Sequence, residues 1–105
     1  MEQPNLSYIY GMSGGDETFE KKIIDIIKKE LPQEKDVYYL NIQANNYKEA
    51  AKNVHKLKHK ISILGLVSGY EVAVNFENNL EIGRRDGQEE FEAILVNMTN
   101  FLDNL

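Results

Sequence analysis

Two histidines, His55 and His59, stand four residues apart in a 105-residue chain that has no cysteine. The absence of thiols excludes a disulfide framework, a thiolate metal site and a cysteine nucleophile. An imidazole is nucleophilic when neutral, and its unperturbed pKa of about 6.5 leaves much of it neutral near pH 7. Around these histidines, Tyr47, Ala50, Val54, Leu57, Ile61 and Leu64 alternate steps of three and four, the stripe of a bundle helix. At about 100° per residue, His55 falls roughly 130° from the centre of that stripe and so faces outward. A histidine kept for packing would sit on the stripe. Ala51, Lys58, His59 and Ser62 share its face. Ala51 and Ser62 are small, which lets another protein's surface come close. Lys58, three residues on, brings an ammonium that favours negative charge arriving at the ring. The arrangement suits acceptance of an anionic electrophile such as a phosphoryl group.

Other chemistry fits less well. A zinc ion shared by His55 and His59 needs a third ligand from another helix, and Lys56, Lys58 and Lys60 would repel it. Lys56 also stands where a metalloprotease helix has glutamate. No metal site is therefore expected. Glu89 and Glu90 are adjacent and point apart on a helix, so they make no acid–base pair. The net charge of −5 argues against general nucleic-acid binding. Five of the twelve Lys and Arg residues nonetheless fall between positions 48 and 60, with Glu49 the sole acid among them. That run reads either as a solvated helix face or as a docking surface for an acidic partner.

The elements that must position these residues are helical throughout, because no segment alternates with period two for long enough to make a strand. Residues 1–105 are expected to form one domain. Leu6 to Met12 predicts a brief helix, with Tyr10 helping it to pack. Ser13 or Asp16 caps a second helix, whose core face is marked by Phe19, Ile23, Ile26 and Ile27. Pro32 is expected to interrupt or restart it, with Tyr38 and Tyr39 capping the core near the break. Val37 and Leu40, with Tyr38 or Ala44, carry the continuation, and Asn45-Asn46 is a turn. The third helix runs from about Tyr47 to Leu66, with Ile63 packing between helices. The fourth runs from about Ser68 to Arg85 on Ala73, Phe76 and Leu80. The fifth runs from about Gln88 to the end, on Phe91, Ile94, Leu95, Met98, Phe101, Leu102 and Leu105. Short loops between such helices give an all-α fold, an antiparallel up-and-down four-helix bundle with a short extra N-terminal helix.

The run Val54-His55-Lys56-Leu57-Lys58-His59-Lys60-Ile61-Ser62-Ile63-Leu64-Gly65 resembles the signature of histidine phosphotransfer (HPt) domains. That signature is a histidine, any residue, Leu-Lys, a small residue, and Leu-Gly about nine and ten positions after the histidine. Met12 to Asp16 with Phe19 is similar to the family's entry into its second helix. Leu80-Glu81 with Arg84, Arg85 and Gly87 is similar to the end of its fourth.

The resemblance implies that His55 accepts a phosphoryl group from a receiver-domain aspartate and passes it to another receiver. Lys58 would help to hold the phosphoryl oxygens, and Gly65 would allow close helix packing. Ala51, Lys52 and Gly65 would belong to the receiver-docking surface, and His59 and Ser62 are candidate modulators. His59 departs from the pattern, since that position is usually small. Such a protein is a carrier rather than an enzyme. It needs no cofactor of its own, the magnesium belonging to the receiver's acidic pocket. Its partners would be response-regulator receiver domains and a hybrid sensor histidine kinase, with the chain standing alone or forming that kinase's C-terminal module. A bundle that binds such partners without transfer is the alternative. No apolar run could span a bilayer and no signal-peptide pattern opens the chain, so the cytoplasm is the expected compartment. A monomer is expected, because nothing in the sequence forces a dimer. One long exposed apolar stripe would change that.

Overall fold

Asp16 starts the longest helix, its side chain accepting a hydrogen bond from the Phe19 amide at 3.1 Å, with Glu17 and Glu20 in the first turn. The computed structural model describes residues 2–105. They form five helices: α1 Ser7–Ser13, α2 Glu17–Gln43, α3 Tyr47–Ile63, α4 Val67–Glu81 and α5 Gln88–Asp103. There is no strand among the described residues. Helices α2 to α5 make the bundle and α1 packs on α2. The 27 residues of α2 span about 40 Å at 1.5 Å each, close to the 44 Å long axis of the molecule.

Pro32 does not break α2, which runs through it without interruption. A proline forgoes one intrahelical hydrogen bond. Leu31 before it and Tyr38 and Ile42 after it are buried along a single face, and that continuous packing holds the helix together. The buried face of α2 also differs from expectation. Ile27, Leu31, Tyr38 and Ile42 enter the core, whereas Phe19, Ile26, Val37 and Leu40 are exposed. The aromatic residue decides the phase. Tyr38 packs edge-on against Phe91 and Phe76, with ring centroids 5.3 and 6.3 Å away, and its hydroxyl donates to Glu92 at 2.8 Å. A buried ring with a satisfied hydroxyl outweighs the aliphatic alternative. Tyr38 is thus a core residue rather than a cap at a helix break.

In α1 the packing residue is Ile9, and Tyr10 points to solvent. In α3 the expected stripe is buried, with Tyr47 half-buried at its start. Gly65, at φ +77°, turns the chain into α4. That helix buries Ala73, Phe76 and Leu80 as expected, but ends at Glu81 rather than Arg85. Arg85 leaves the helix because it has partners elsewhere. Its guanidinium donates to the Ile42 carbonyl at 2.9 Å and the Tyr47 hydroxyl at 3.0 Å, tying down the α2–α3 turn. Phe91, Leu95, Met98 and Leu102 of α5 complete the core, and Leu105 lies outside it.

The segment before α1 straps one end of the bundle. The Glu2 carboxylate accepts the Ser68 and Gly69 amides at 3.0 Å each, and the Asn97 side chain donates to the Glu2 carbonyl at 3.0 Å. Pro4 is buried, and the Asn5 amide donates to the Leu64 carbonyl at 2.8 Å. Among the described residues, no helix is long and apolar enough to cross a membrane.

Candidate functional site

His55 lies midway along α3 with its side chain 54% exposed, on the outward face that its helical phase requires. Its ring is not free to rotate without cost. Nδ1 stands 3.0 Å from the Oε2 atom of Glu77, which projects from α4. A carboxylate can only accept, so in the neutral imidazole this contact places the ring proton on Nδ1 and leaves the Nε2 lone pair available to a reaction partner.

The same carboxylate meets Lys58. The ammonium lies 3.0 Å from Oε1 of Glu77, an ion pair that lacks hydrogen-bond alignment, and 5.9 Å from the centroid of the Tyr70 ring. Glu77 therefore bridges the two residues that the sequence pattern put together. Both Lys58 and Glu77 have side chains only 13% exposed. The lysine is held next to the imidazole rather than extended into solvent.

His59 is exposed one turn further on, its ring edge-to-face with that of His55 at a centroid distance of 5.1 Å. Ser62 is exposed beyond it. On the other side of His55 a groove of about 460 Å³ opens between α3 and α4. Lys48, Lys52 and Lys56 line one wall, Glu77 and Glu81 the other, and buried Ala51 lies between them. Of the residues expected to dock a partner, Ala51 and Lys52 flank this groove.

Gly65 does not line the groove. It sits ten residues after His55, about 15 Å along the helix axis. The structure gives it another reason to be glycine. Its φ is +77°, and a Cβ there would stand 2.5 Å from the Asn5 side chain of the N-terminal strap.

The lysine run divides by environment. Lys60 is buried, paired with Glu34 at 2.8 Å and Glu30 at 3.0 Å on α2. Burial alone would lower its pKa, but the hydrogen bonds it donates to Glu34 and Glu30 outweigh that and raise it. Lys58 is committed to Glu77. That leaves Lys48, Lys52 and Lys56 as the basic wall of the groove, with Lys52 also paired to Glu49 at 2.9 Å.

Glu77 is the site residue that sequence reasoning missed. Its partner is 22 residues away on another helix. The one local signal is its position: an acid immediately after Phe76, at the border of the α4 stripe, where it must emerge near a neighbouring helix. No group of three or more His, Asp or Glu side chains among the described residues is arranged to hold a metal ion.

The fold and the site together define a helical bundle that presents one oriented, solvent-facing imidazole beside a groove with a lysine wall. No family model, no curated protein and no solved structure matches the chain.

Proposed function

We propose that this chain is a histidine phosphotransfer protein, with His55 as the phosphoryl acceptor and donor between receiver domains. The observation that carries the reading is the Glu77–His55 contact at 3.0 Å, which points a basic Nε2 outward from an exposed helix face. Nε2 attacks the phosphorus of an aspartyl phosphate in line. The N–P bond forms, the P–O bond to the aspartate breaks, and the aspartate leaves as a carboxylate. The Nδ1 proton stays on the ring, so the phosphorylated imidazole carries positive charge, which the Glu77 carboxylate offsets. Transfer to the next receiver reverses these events. Lys58 stands one turn from the ring and can exchange its loose pairing with Glu77 for a phosphoryl oxygen. The basic wall of Lys48, Lys52 and Lys56 complements the acidic pocket of a receiver, which would bring its own magnesium ion. In this role the protein acts in the cytoplasm, as a carrier that requires a partner.

The test is phosphotransfer from a phosphorylated receiver domain to the wild type and to His55→Gln. The expected label is acid-labile, base-stable and confined to the wild type. Undiminished label on His55→Gln would sink the assignment. The second reading is a non-catalytic adaptor, favoured by the His59 ring that stands against His55, where its bulk would keep a bound receiver's phosphoryl group from Nε2. It predicts receiver binding that survives His55→Gln, and no label on the wild type.

A further inference from the structure

Helix α2 carries two apolar stripes. One is in the core. The other, formed by Phe19, Ile26, Val37 and Leu40, faces solvent, with exposures of 36%, 41%, 46% and 68%. At about 100° per residue these four fall within a wedge of about 60°, roughly 120° from the core face. Exposed apolar residues scattered singly are ordinary, but a narrow strip along a whole helix is not. Ile23 lies at its edge and Ala44 caps its end. Positions 19, 23, 26, 30, 33, 37, 40 and 44 alternate steps of four and three, the spacing of a seam along which one helix packs on another.

The seam is complementary to itself. With a second α2 laid antiparallel about a two-fold axis level with residues 31 and 32, Phe19 meets Ala44, Ile23 meets Leu40, and Ile26 meets Val37. The polar centre, Glu30, meets Gln33, and the Glu30 charge is already answered by Lys60 at 3.0 Å. Bonds from the Lys60 ammonium to Glu34 and from the Asn41 amide to Asn53 place α3 along one flank of the seam. On the other flank, Lys29 of one copy comes within about half a turn of Asp36 of the other, twice by symmetry. A surface made for an unrelated protein has no need of this internal symmetry.

We propose that the outward face of α2 is a contact between two copies of this chain, packed antiparallel about that two-fold axis. This replaces the expectation of a monomer and does not depend on the function of His55.

Sedimentation equilibrium up to about 200 µM protein covers the affinity range of such a contact. The wild type is expected at twice the chain mass. Leu40→Glu and Ile26→Glu should each weaken association by about 100-fold with unchanged helical circular dichroism. Val96→Glu, at an exposed position on α5, should leave it intact. Lys29→Glu should weaken the dimer, and adding Asp36→Lys to the same chain should restore it. A wild type that stays monomeric overturns the proposal, as does a dimer indifferent to Leu40→Glu. Failure of the charge swap to restore association overturns the antiparallel arrangement. A monomer whose binding to a receiver domain is lost in Leu40→Glu assigns the face to that partner instead, and also overturns it.

Discussion

Glu77 on α4 brings a carboxylate oxygen to 3.0 Å from Nδ1 of His55 on α3, and so decides which nitrogen of that exposed imidazole is offered to a partner. Its other oxygen lies 3.0 Å from the Lys58 ammonium. One side chain thus orients the ring, fixes its tautomer and positions the nearest cation.

Replacing Glu77 should separate these effects. Glu77→Gln keeps an acceptor for Nδ1 but loses the charge that, under the proposed phosphotransfer, would offset a phosphorylated ring. Glu77→Ala loses both. A hydrogen bond at a half-exposed ring is worth about 1 kcal/mol, so Glu77→Ala should slow single-turnover phosphoryl uptake by about fivefold, and Glu77→Gln by less. Rapid-quench transfer from a phosphorylated receiver measures both. Equal rates in all three proteins would show that the contact does not orient the reacting nitrogen.

Lys58→Ala should slow transfer by about tenfold, the value of one charge-assisted contact to a phosphoryl oxygen. It should leave helical content unchanged and cost on the order of 2 kcal/mol of stability, because Glu77, with its side chain 13% exposed, is left without its cation. Circular dichroism melting and transfer kinetics on the same preparation test this. A loss of folding would make Lys58 a structural residue.

What could be read from the sequence depended on whether one helix held the whole signal. The phase of α3 is local, so the outward direction of His55 and the burial of Val54, Leu57 and Ile61 followed from spacing. In α4, Ala73, Phe76 and Leu80 were legible for the same reason. Helix α2 was not, because it has two apolar faces, and the choice between them rests on Phe76 and Phe91, which stack around Tyr38 from other helices. Arg85 left α4 for partners near Tyr47, and Glu77 joined His55 across a helix boundary. Each miss is a pairing between distant segments, which no local pattern encodes.

The buried Lys60 and Tyr38 predict an alkaline limit to stability. Lys60 titrates above its ordinary value near 10.5, since the bonds it donates to Glu34 and Glu30 overcome its burial. Burial and the bond to Glu92 raise Tyr38 above its ordinary value near 10.0. For both groups the folded state holds its proton more tightly than the unfolded state. Their stabilisation is whole below about pH 10 and falls as the pH rises beyond it. Urea unfolding from pH 7 to 11 should show that fall, with a shallower slope in Tyr38→Phe. Lys60→Met should cost on the order of 2 kcal/mol at pH 7, because Glu34 is left part-buried without its cation.

Glu2 sets the acid side. The amide of Ser68, aided by that of Gly69, holds its carboxyl below the ordinary value near 4.5 against the opposing effect of desolvation. A depressed carboxyl stabilises the fold above its unfolded pKa, and that contribution is lost as the pH falls through the folded value. Glu2→Gln should lower stability at pH 7 by about 0.5–1 kcal/mol, the range for a lost helix cap. It should also flatten the pH dependence below 4.5. An unchanged acid profile would show that the Glu2 carboxylate contributes nothing to the fold.

Gly65→Ala tests how the strap and the α3–α4 turn depend on each other. The residue sits at φ +77°, where an L side chain costs about 1–2 kcal/mol. The new Cβ would also approach the Asn5 side chain to 2.5 Å, so that side chain must shift. Asn5 donates its amide to the Leu64 carbonyl, and its side-chain oxygen accepts the Ser7 amide at the start of α1. Displacing Asn5 therefore loosens both ends of that segment. The expected total is about 2–3 kcal/mol, read as a lower denaturation midpoint with an unchanged slope. Asn5→Gly in the same chain should recover the part due to the collision but not the part due to φ. Full recovery would mean that the backbone angle carries no strain, and no recovery would mean that the strap yields without cost. Phosphoryl uptake at His55, about 15 Å away along α3, should remain at the wild-type rate while the protein is folded.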